Sequence, residues 1–355
     1  MKKYLILGIL VILIGSMVFV PMIQDSDETD VLAAEFTFKE NLATEWNTVV
    51  PIKINVNSEE IVKLELIYND SLFKTWTNPK GIIDYQFNSG YYGLGSKSVS
   101  LVSTFKNGDI LTDDRMVRVL SDIKPEMWTA KIVKTYPHLF SSYTQGLEFN
   151  NGVLYEGTGQ KGQSMVAQMD LNTGSIHPTK SNRLDENYFG EGITIFGEKL
   201  YQITWQEGKC FVYDKNTIQI EKDYTYTGEG WGLCNDGKSL IMSDGTERIT
   251  FRNPSNFEIE RTIEIFYNQG PIVKINELEY IDGKIYANIW MTNIIIVIEP
   301  LNGKVLAVIN CSEIEKAGKG HGDVLNGIAQ NNGKIYLTGK NWEKLFEVNF
   351  EKPKK

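Results

Sequence analysis

Between residues 146 and 336 the chain returns five times to one short pattern, and that recurrence limits its folding more than any other feature. The segments are Gly146 to Tyr155, Gly192 to Tyr201, Gly232 to Ile241, Glu277 to Tyr286 and Gly327 to Tyr336, a spacing of 40 to 50 residues. A β-rich unit of that period is the signature of propeller blades with four strands each. Each unit carries a tight-turn signal in nearly the same register: Asn151-Gly152, Gly197, Asp236-Gly237, Asp282-Gly283 and Asn332-Gly333. Asn or Asp followed by Gly accepts positive φ, so these positions predict the hairpin between a blade's first two strands. A third strand, a turn and a fourth strand follow, as in Phe211 to Tyr224. The fifth repeat ends at Leu345 to Phe350, before any fourth strand, while Thr129 to Tyr136 is extended and has no hairpin of its own. If that segment supplies the missing outer strand, the ring closes and no sheet edge stays open. A five-bladed β-propeller over residues 129–350 is therefore expected.

The chain ahead of the repeats reads differently. Lys2 and Lys3 precede an uncharged run from Tyr4 to Ile23, long enough as a helix to cross a hydrocarbon core of about 30 Å. The two lysines favour a cytoplasmic N-terminus, so the rest of the chain is expected to be exported and extracytoplasmic. Residues 1–24 are then either a cleaved signal peptide or a membrane anchor. The weak, late Leu32-Ala33-Ala34 site favours the anchor. Residues 35–120 alternate in short segments separated by Asn69-Asp70, Asn78-Pro79 and Asn107-Gly108, a pattern that predicts six or seven strands in an immunoglobulin-like sandwich. No convergent catalytic set occurs there, so a spacer or docking role is expected. Residues 121–128, with Pro125, form the linker. The whole chain is thus expected to be all-β apart from an N-terminal apolar helix.

Composition narrows the function classes. A net charge of −9 opposes a phosphate-backbone ligand, which argues against nucleic acid. Three histidines (His138, His177, His321) and three cysteines (Cys210, Cys234, Cys311) fall at no metal-site spacing, so no metal site is predicted, and an odd cysteine count argues against a disulfide scaffold. No glycine motif for binding phosphate occurs, and no cofactor is expected. A monomer is expected, touching membrane only through its N-terminal segment.

The repeat register also places side chains. Ten residues before the end of each repeat stand Gln145, Glu191, Trp231, Asn276 and Asn326; four residues after it stand Gly159, Trp205, Gly245, Trp290 and Lys340. The first set opens the inner strand of each blade and the second lies just past the next strand. In an antiparallel hairpin both places lie opposite the turn, so the two sets converge on one mouth of the central channel, as a small-ligand site would require. Gly159 and Gly245 are read as backbone geometry or room for neighbours. A lone tryptophan is more often core than platform, but three at ring positions beside one carboxylate and one lysine point to a site. Inside an aromatic wall Glu191 would be desolvated, which raises its pKa and suits it to exchange protons near neutrality. Lys340, if close enough, would act in the opposite sense.

At these positions the sequence resembles the plant- and bacterial-type glutaminyl-peptide cyclotransferases, or glutamine cyclotransferases. The matching stretches run in order from Tyr143-Thr-Gln-Gly-Leu147 and Tyr155-Glu-Gly-Thr-Gly159 through Tyr188-Phe-Gly-Glu-Gly-Ile-Thr194, Thr204-Trp205, Glu229-Gly-Trp-Gly-Leu233 and Asn276-Glu-Leu-Glu-Tyr280 to Ala287-Asn-Ile-Trp290, Leu325-Asn-Gly-Ile328 and Leu337-Thr-Gly-Lys340. The resemblance covers Ile132 to Val348 and leaves out the leader and the small β domain. It implies metal-independent cyclisation of N-terminal glutamine to pyroglutamate with release of ammonia, acting on peptides or proteins. It further implies Glu191 as the proton shuttle, with Gln145, Asn276 and Lys340 as polar partners. Trp205, Trp231, Trp290 and Phe189 form the aromatic wall, and Tyr143 stands where the family often has phenylalanine.

Two other readings of the same mouth stay open on the sequence. One is a non-catalytic extracytoplasmic propeller that binds peptides or glycans. The other is a glycosidase using Glu191 and Glu277 as a carboxylate pair, which works at separations of roughly 5–9.5 Å. Glu277 follows Asn276 on a strand and should point away from the mouth, which weighs against the pair.

Overall fold

The computed structural model describes residues 32–38 and 41–352. The apolar run at Tyr4 to Ile23, and with it the expected N-terminal helix, lies outside the described residues. Among those described, no helix is long and apolar enough to cross a membrane.

The chain is nearly all β, and its larger part is propeller-like. Each of the first three repeats forms a four-stranded antiparallel sheet in sequential order, the first from Thr144–Asn150, Val153–Thr158, Met165–Met169 and Ile176–Arg183. Repeats four and five join into one eight-stranded sheet through the long strand Glu126–Pro137. That strand runs antiparallel to Lys344–Glu351, with Tyr136 opposite Leu345, and so completes the fifth repeat. It begins three residues earlier than the sequence suggests, because Glu126 to Thr129 also pair in parallel with Ala307 to Asn310 of the fourth repeat. Asn151, Gly152, Asp282, Gly283, Asn332 and Gly333 all take positive φ, as their hairpin turns require. The first strands of successive repeats are neighbours around a closed ring, from Thr144–Asn150 through Gly190–Phe196, Leu233–Asn235 and Ile275–Ile281 to Leu325–Asn331 and back.

Between the repeats lie layers of apolar side chains. Ile203, Cys210, Val212 and Leu233, for example, are buried together where the second repeat meets the third. A short helix, Ser312–Gly318, precedes the fifth repeat and had no signal in the repeat pattern.

Residues 34–120 form two packed sheets, one of three strands and one of five. Alternation is clear in Val49–Val56, where Val50, Ile52 and Ile54 point inward. The eight strands exceed the six or seven expected, and the two without a clear sequence signal are Asn41–Glu45 and Ser71–Thr77. Both lie at the edges of the larger sheet and carry mixed polar residues, so neither shows a buried face in its composition. This domain leans on the rim of the ring. Phe266 is buried in its core, Lys304 bonds Asp122 at 2.7 Å and sits 3.5 Å above the Trp46 ring, and Lys97 pairs with Glu264.

Candidate active site

The nine residues expected to bind or act on substrate line one cavity of about 220 Å³, namely Tyr143, Gln145, Phe189, Glu191, Trp205, Trp231, Asn276, Trp290 and Lys340, whereas the ring positions Asn326, Gly159 and Gly245 are not in its lining. The local backbone explains how strands with a two-residue period aim so many side chains to one place. In four of the five inner strands the ladder register slips at the opening position, between Thr144 and Gly146, Gly190 and Ile193, Ile275 and Leu278, and Leu325 and Ile328. Gln145, Glu191, Asn276 and Asn326 sit in these irregularities, which re-aim a side chain where regular alternation would not. Four of the five second strands end in a backbone bond that holds the outer set: Gly159 N to Tyr143 O, Trp205 N to Phe189 O, Trp290 N to Lys274 O and Lys340 N to Val324 O are all 2.9 Å. Gly159 supplies room, since a Cβ there would lie 2.5 Å from the Phe189 ring and 3.0 Å from Gln145 Cγ. Gly245 supplies both room beside Trp231 and a φ of +80°.

The polar groups are few and connected. Gln145 Nε2 donates to Glu191 Oε1 at 2.9 Å, and Asn326 Nδ2 donates to Thr144 O at 2.9 Å and to Gln145 Oε1 at 3.3 Å. Asn326 thus stands behind the cavity wall and fixes which way the Gln145 amide faces. The Asn276 side-chain oxygen is buried and has no hydrogen-bond partner among the described residues. Glu191 is 6% exposed, and burial pushes its carboxyl well above the usual range. The Lys340 ammonium pulls it down, while Glu207 and Glu229 add to the rise. Lys340 is 3% exposed, sits 4.9 Å from the centre of the Tyr143 ring, and is pushed below the usual lysine range by burial, against the pull of Glu191 and Asp323. Burial therefore wins over mutual attraction at both ends. A carboxyl and an amine poised this way trade protons more readily than either would in water.

The aromatic wall is built of edge-to-face pairs. Trp231 and Trp290 meet at 5.4 Å and 88°, Phe189 and Trp205 at 5.6 Å and 66°, and Tyr143 and Phe189 at 6.2 Å and 87°. A residue that sequence reasoning passed over holds two of these rings. Glu229 Oε2 accepts the indole N–H of Trp205 at 2.8 Å and of Trp231 at 2.9 Å, while Oε1 accepts Gln206 Nε2 at 2.9 Å. Burial alone would raise the Glu229 carboxyl, but these donors outweigh it and hold it below the usual range. Its signal was present as the first residue of the Glu229-Gly-Trp-Gly-Leu stretch.

Glu277 is excluded from the mouth. Its carboxylate accepts the backbone N–H groups of Leu147 at 3.3 Å and Ile328 at 2.9 Å, tying three inner strands together, so it cannot form a glycosidase pair with Glu191. The cysteines are all free and buried. Among the described residues, no three His, Cys, Asp or Glu side chains are grouped to hold a metal ion.

A propeller-like scaffold with a desolvated carboxyl, a buried amine and two amides inside an aromatic pocket has the make-up of an enzyme site for a small polar group. Comparison with known proteins agrees. The family model for glutamine cyclotransferase matches residues 107–350, and the chain belongs to that family. Glutaminyl-peptide cyclotransferase of Arabidopsis thaliana is 35% identical over 235 residues, covering 64% of this chain and 73% of the relative. The crystal structure of Myxococcus xanthus glutaminyl cyclase superposes with a TM-score of 0.61 at 37% identity, covering 65% of this chain and 100% of the other.

Proposed function

We propose that this chain converts the N-terminal glutamine of peptides or proteins to pyroglutamate and releases ammonia. The observation that carries the reading is the convergence of a buried carboxyl, an amine, two amides and five aromatic rings on one cavity of about 220 Å³. The free α-amine attacks its own γ-carboxamide carbon; a C–N bond forms and the amine must lose a proton. The tetrahedral carbon then expels its amide nitrogen, which leaves as ammonia only after gaining a proton. Glu191 takes the first proton and delivers the second, so the carboxyl is unchanged at the end. Gln145 holds the Glu191 oxygen in place. The unpartnered Asn276 oxygen accepts from the substrate's amine or amide N–H, and the Lys340 ammonium donates to the developing oxyanion. Trp205, Trp231, Trp290, Phe189 and Tyr143 hold the glutamine side chain folded back on its amine and exclude water.

The architecture we infer is a five-bladed propeller, supported by the five repeats and by the closing strand Glu126–Pro137. Residues 35–120 are read as an immunoglobulin-like sandwich that spaces the enzyme from the envelope, with residues 121–125 as its linker, since Glu126 already belongs to a strand of the ring. Lys2, Lys3 and the apolar run support export, either anchored or secreted, and we read the enzyme as a monomer.

The test is ammonia release from a glutamine-initiated dipeptide amide, with and without chelator, by wild type and Glu191→Gln. Chelator-resistant turnover that Glu191→Gln lowers about 10²–10⁴-fold, with folding retained, supports the reading. Folded wild type that binds peptides without releasing ammonia would make it a binding propeller.

A further inference from the structure

Two further cavities share wall residues with each other, and one of them is joined to the tryptophan pocket through Glu229. A second cavity, of about 280 Å³, lies along the seam between the second and third repeats, with Glu229, Asp244, Arg248 and Arg252 in its wall. Its link to the tryptophan pocket is Glu229, whose carboxylate holds Trp205 and Trp231. A third cavity, of about 720 Å³, shares Arg248 and Thr262 with the second and reaches Trp46 and Lys97 of the sandwich domain.

The seam wall carries two arginines and two carboxylates, but no ion pair joins them among the described residues. Arg252 is 6% exposed, yet among the described residues no carboxylate lies within salt-bridge distance of it. Its Nη1 donates to Phe257 O at 3.0 Å, its guanidinium lies 4.8 Å from the Phe257 ring centre and 5.4 Å from that of Tyr226, and its Nε has no partner. Arg248 is exposed and likewise forms no ion pair among the described residues. Glu229 is engaged elsewhere, and Asp244 attracts Arg252 only from beyond salt-bridge distance. Both Glu229 oxygens accept from Trp205, Trp231 and Gln206, and Asp244 Oδ1 accepts from the backbone and hydroxyl of Thr246. A buried guanidinium without a direct salt-bridge partner and with an unpartnered Nε is costly, and a ligand carboxylate would relieve that cost.

We propose that this seam is an extended substrate subsite. The peptide chain following the N-terminal glutamine leaves the tryptophan pocket past Glu229, sets an acidic side chain between Arg248 and Arg252, and continues into the cavity against the sandwich domain. This rests on the cyclotransferase reading and adds a substrate preference to it: peptides with an acidic residue a few positions after the glutamine.

The experiment uses the full chain and eight-residue peptide amides that begin with glutamine. Glutamate is placed in turn at positions 3 to 7, each peptide matched to one with an uncharged residue there. In wild type at low salt, one position should raise kcat/KM about tenfold through KM. The advantage should fall below about twofold in Arg248→Gln and in Arg252→Gln, while turnover of the dipeptide amide stays within about twofold of wild type. The exposed Arg248 keeps the test decisive if the Arg252 variant fails to fold. No preferred position in wild type, or a preference that survives Arg248→Gln, would overturn the subsite. If the dipeptide amide is not turned over at all, the cyclotransferase reading fails separately. The seam is then read from fluorescence anisotropy of the same peptides carrying a C-terminal dye, where equal affinity for acidic and neutral peptides overturns it.

Discussion

Glu229→Ala separates a wall held by packing from one held by a hydrogen-bonded strut. In the wild type a single carboxylate oxygen accepts two indole N–H groups, at 2.8 and 2.9 Å, from tryptophans that follow different strands. Bonds to a charged acceptor contribute about 1.5–3 kcal/mol each, and the low end applies at this half-buried position, which makes about 3 kcal/mol for the pair. The rings keep their edge-to-face partners, Phe189 for Trp205 and Trp290 for Trp231, so the pocket loosens rather than collapses. If half of the loss falls on substrate binding, KM for a glutamine dipeptide amide rises about tenfold. The chemical groups remain in place, so kcat should fall less. Glu229→Gln keeps one acceptor oxygen and should lie between alanine and wild type. Steady-state ammonia release reports the KM-to-kcat split, and tryptophan emission reports the rings directly, since both indole N–H groups pass to solvent in the alanine variant. Unchanged KM together with unchanged emission in folded Glu229→Ala would refute the strut, and packing alone would then account for the wall.

Three further outcomes are expected. Lys340→Met should lower kcat for the dipeptide amide about 10²–10³-fold, the usual loss of an oxyanion donor, with a smaller effect on KM; a loss confined to KM would remove Lys340 from the oxyanion role. Gly159→Ala drives a methyl into Phe189 and Gln145, so thermal stability should drop by about 1–3 kcal/mol and activity with it; wild-type activity would mean that Phe189 moves without cost. Glu148 faces Glu277 and Glu279 near the ring axis, and burial lifts its carboxyl to about 7 against hydrogen bonds from Thr194 and Ile195. A raised carboxyl contributes stability that is fully present below its unfolded pKa of about 4.3 and is lost as pH rises through the folded value. Wild type should therefore lose on the order of 3 kcal/mol relative to Glu148→Gln between pH 4 and 8, read from urea midpoints; parallel profiles would contradict it.

The repeats carry the site in their own register, which is why so much of it was legible. A fixed offset from the end of each repeat leads to the same end of the inner hairpin, so Gln145, Glu191, Asn276, Trp205, Trp290 and Lys340 could be grouped without knowing any tertiary contact. The edge strands Asn41–Glu45 and Ser71–Thr77 were not legible, because an edge strand with polar residues on both faces leaves no periodic trace. Glu229 was passed over because it stands two residues before a ring position, and its bond to Trp205 crosses from one repeat to the next, where the offset rule does not reach.

Local chemistry alone determined the turns, the strand count of each repeat, the need for Thr129 to Tyr136 to close the ring, and most of the side chains at the mouth, Phe189 and Tyr143 having come from the family resemblance. Those follow from backbone preferences and from a period that any single repeat expresses. Tertiary structure decided the contest between Glu191 and Lys340. Both are sunk among aromatic rings, and removing water costs each charge more than their attraction returns, so the carboxyl rises and the amine falls. It also decided that Glu277 serves as a brace, because its two backbone donors, Leu147 and Ile328, come from other repeats. Desolvation and bonds between repeats depend on which surfaces meet, and no order of residues along one strand records that.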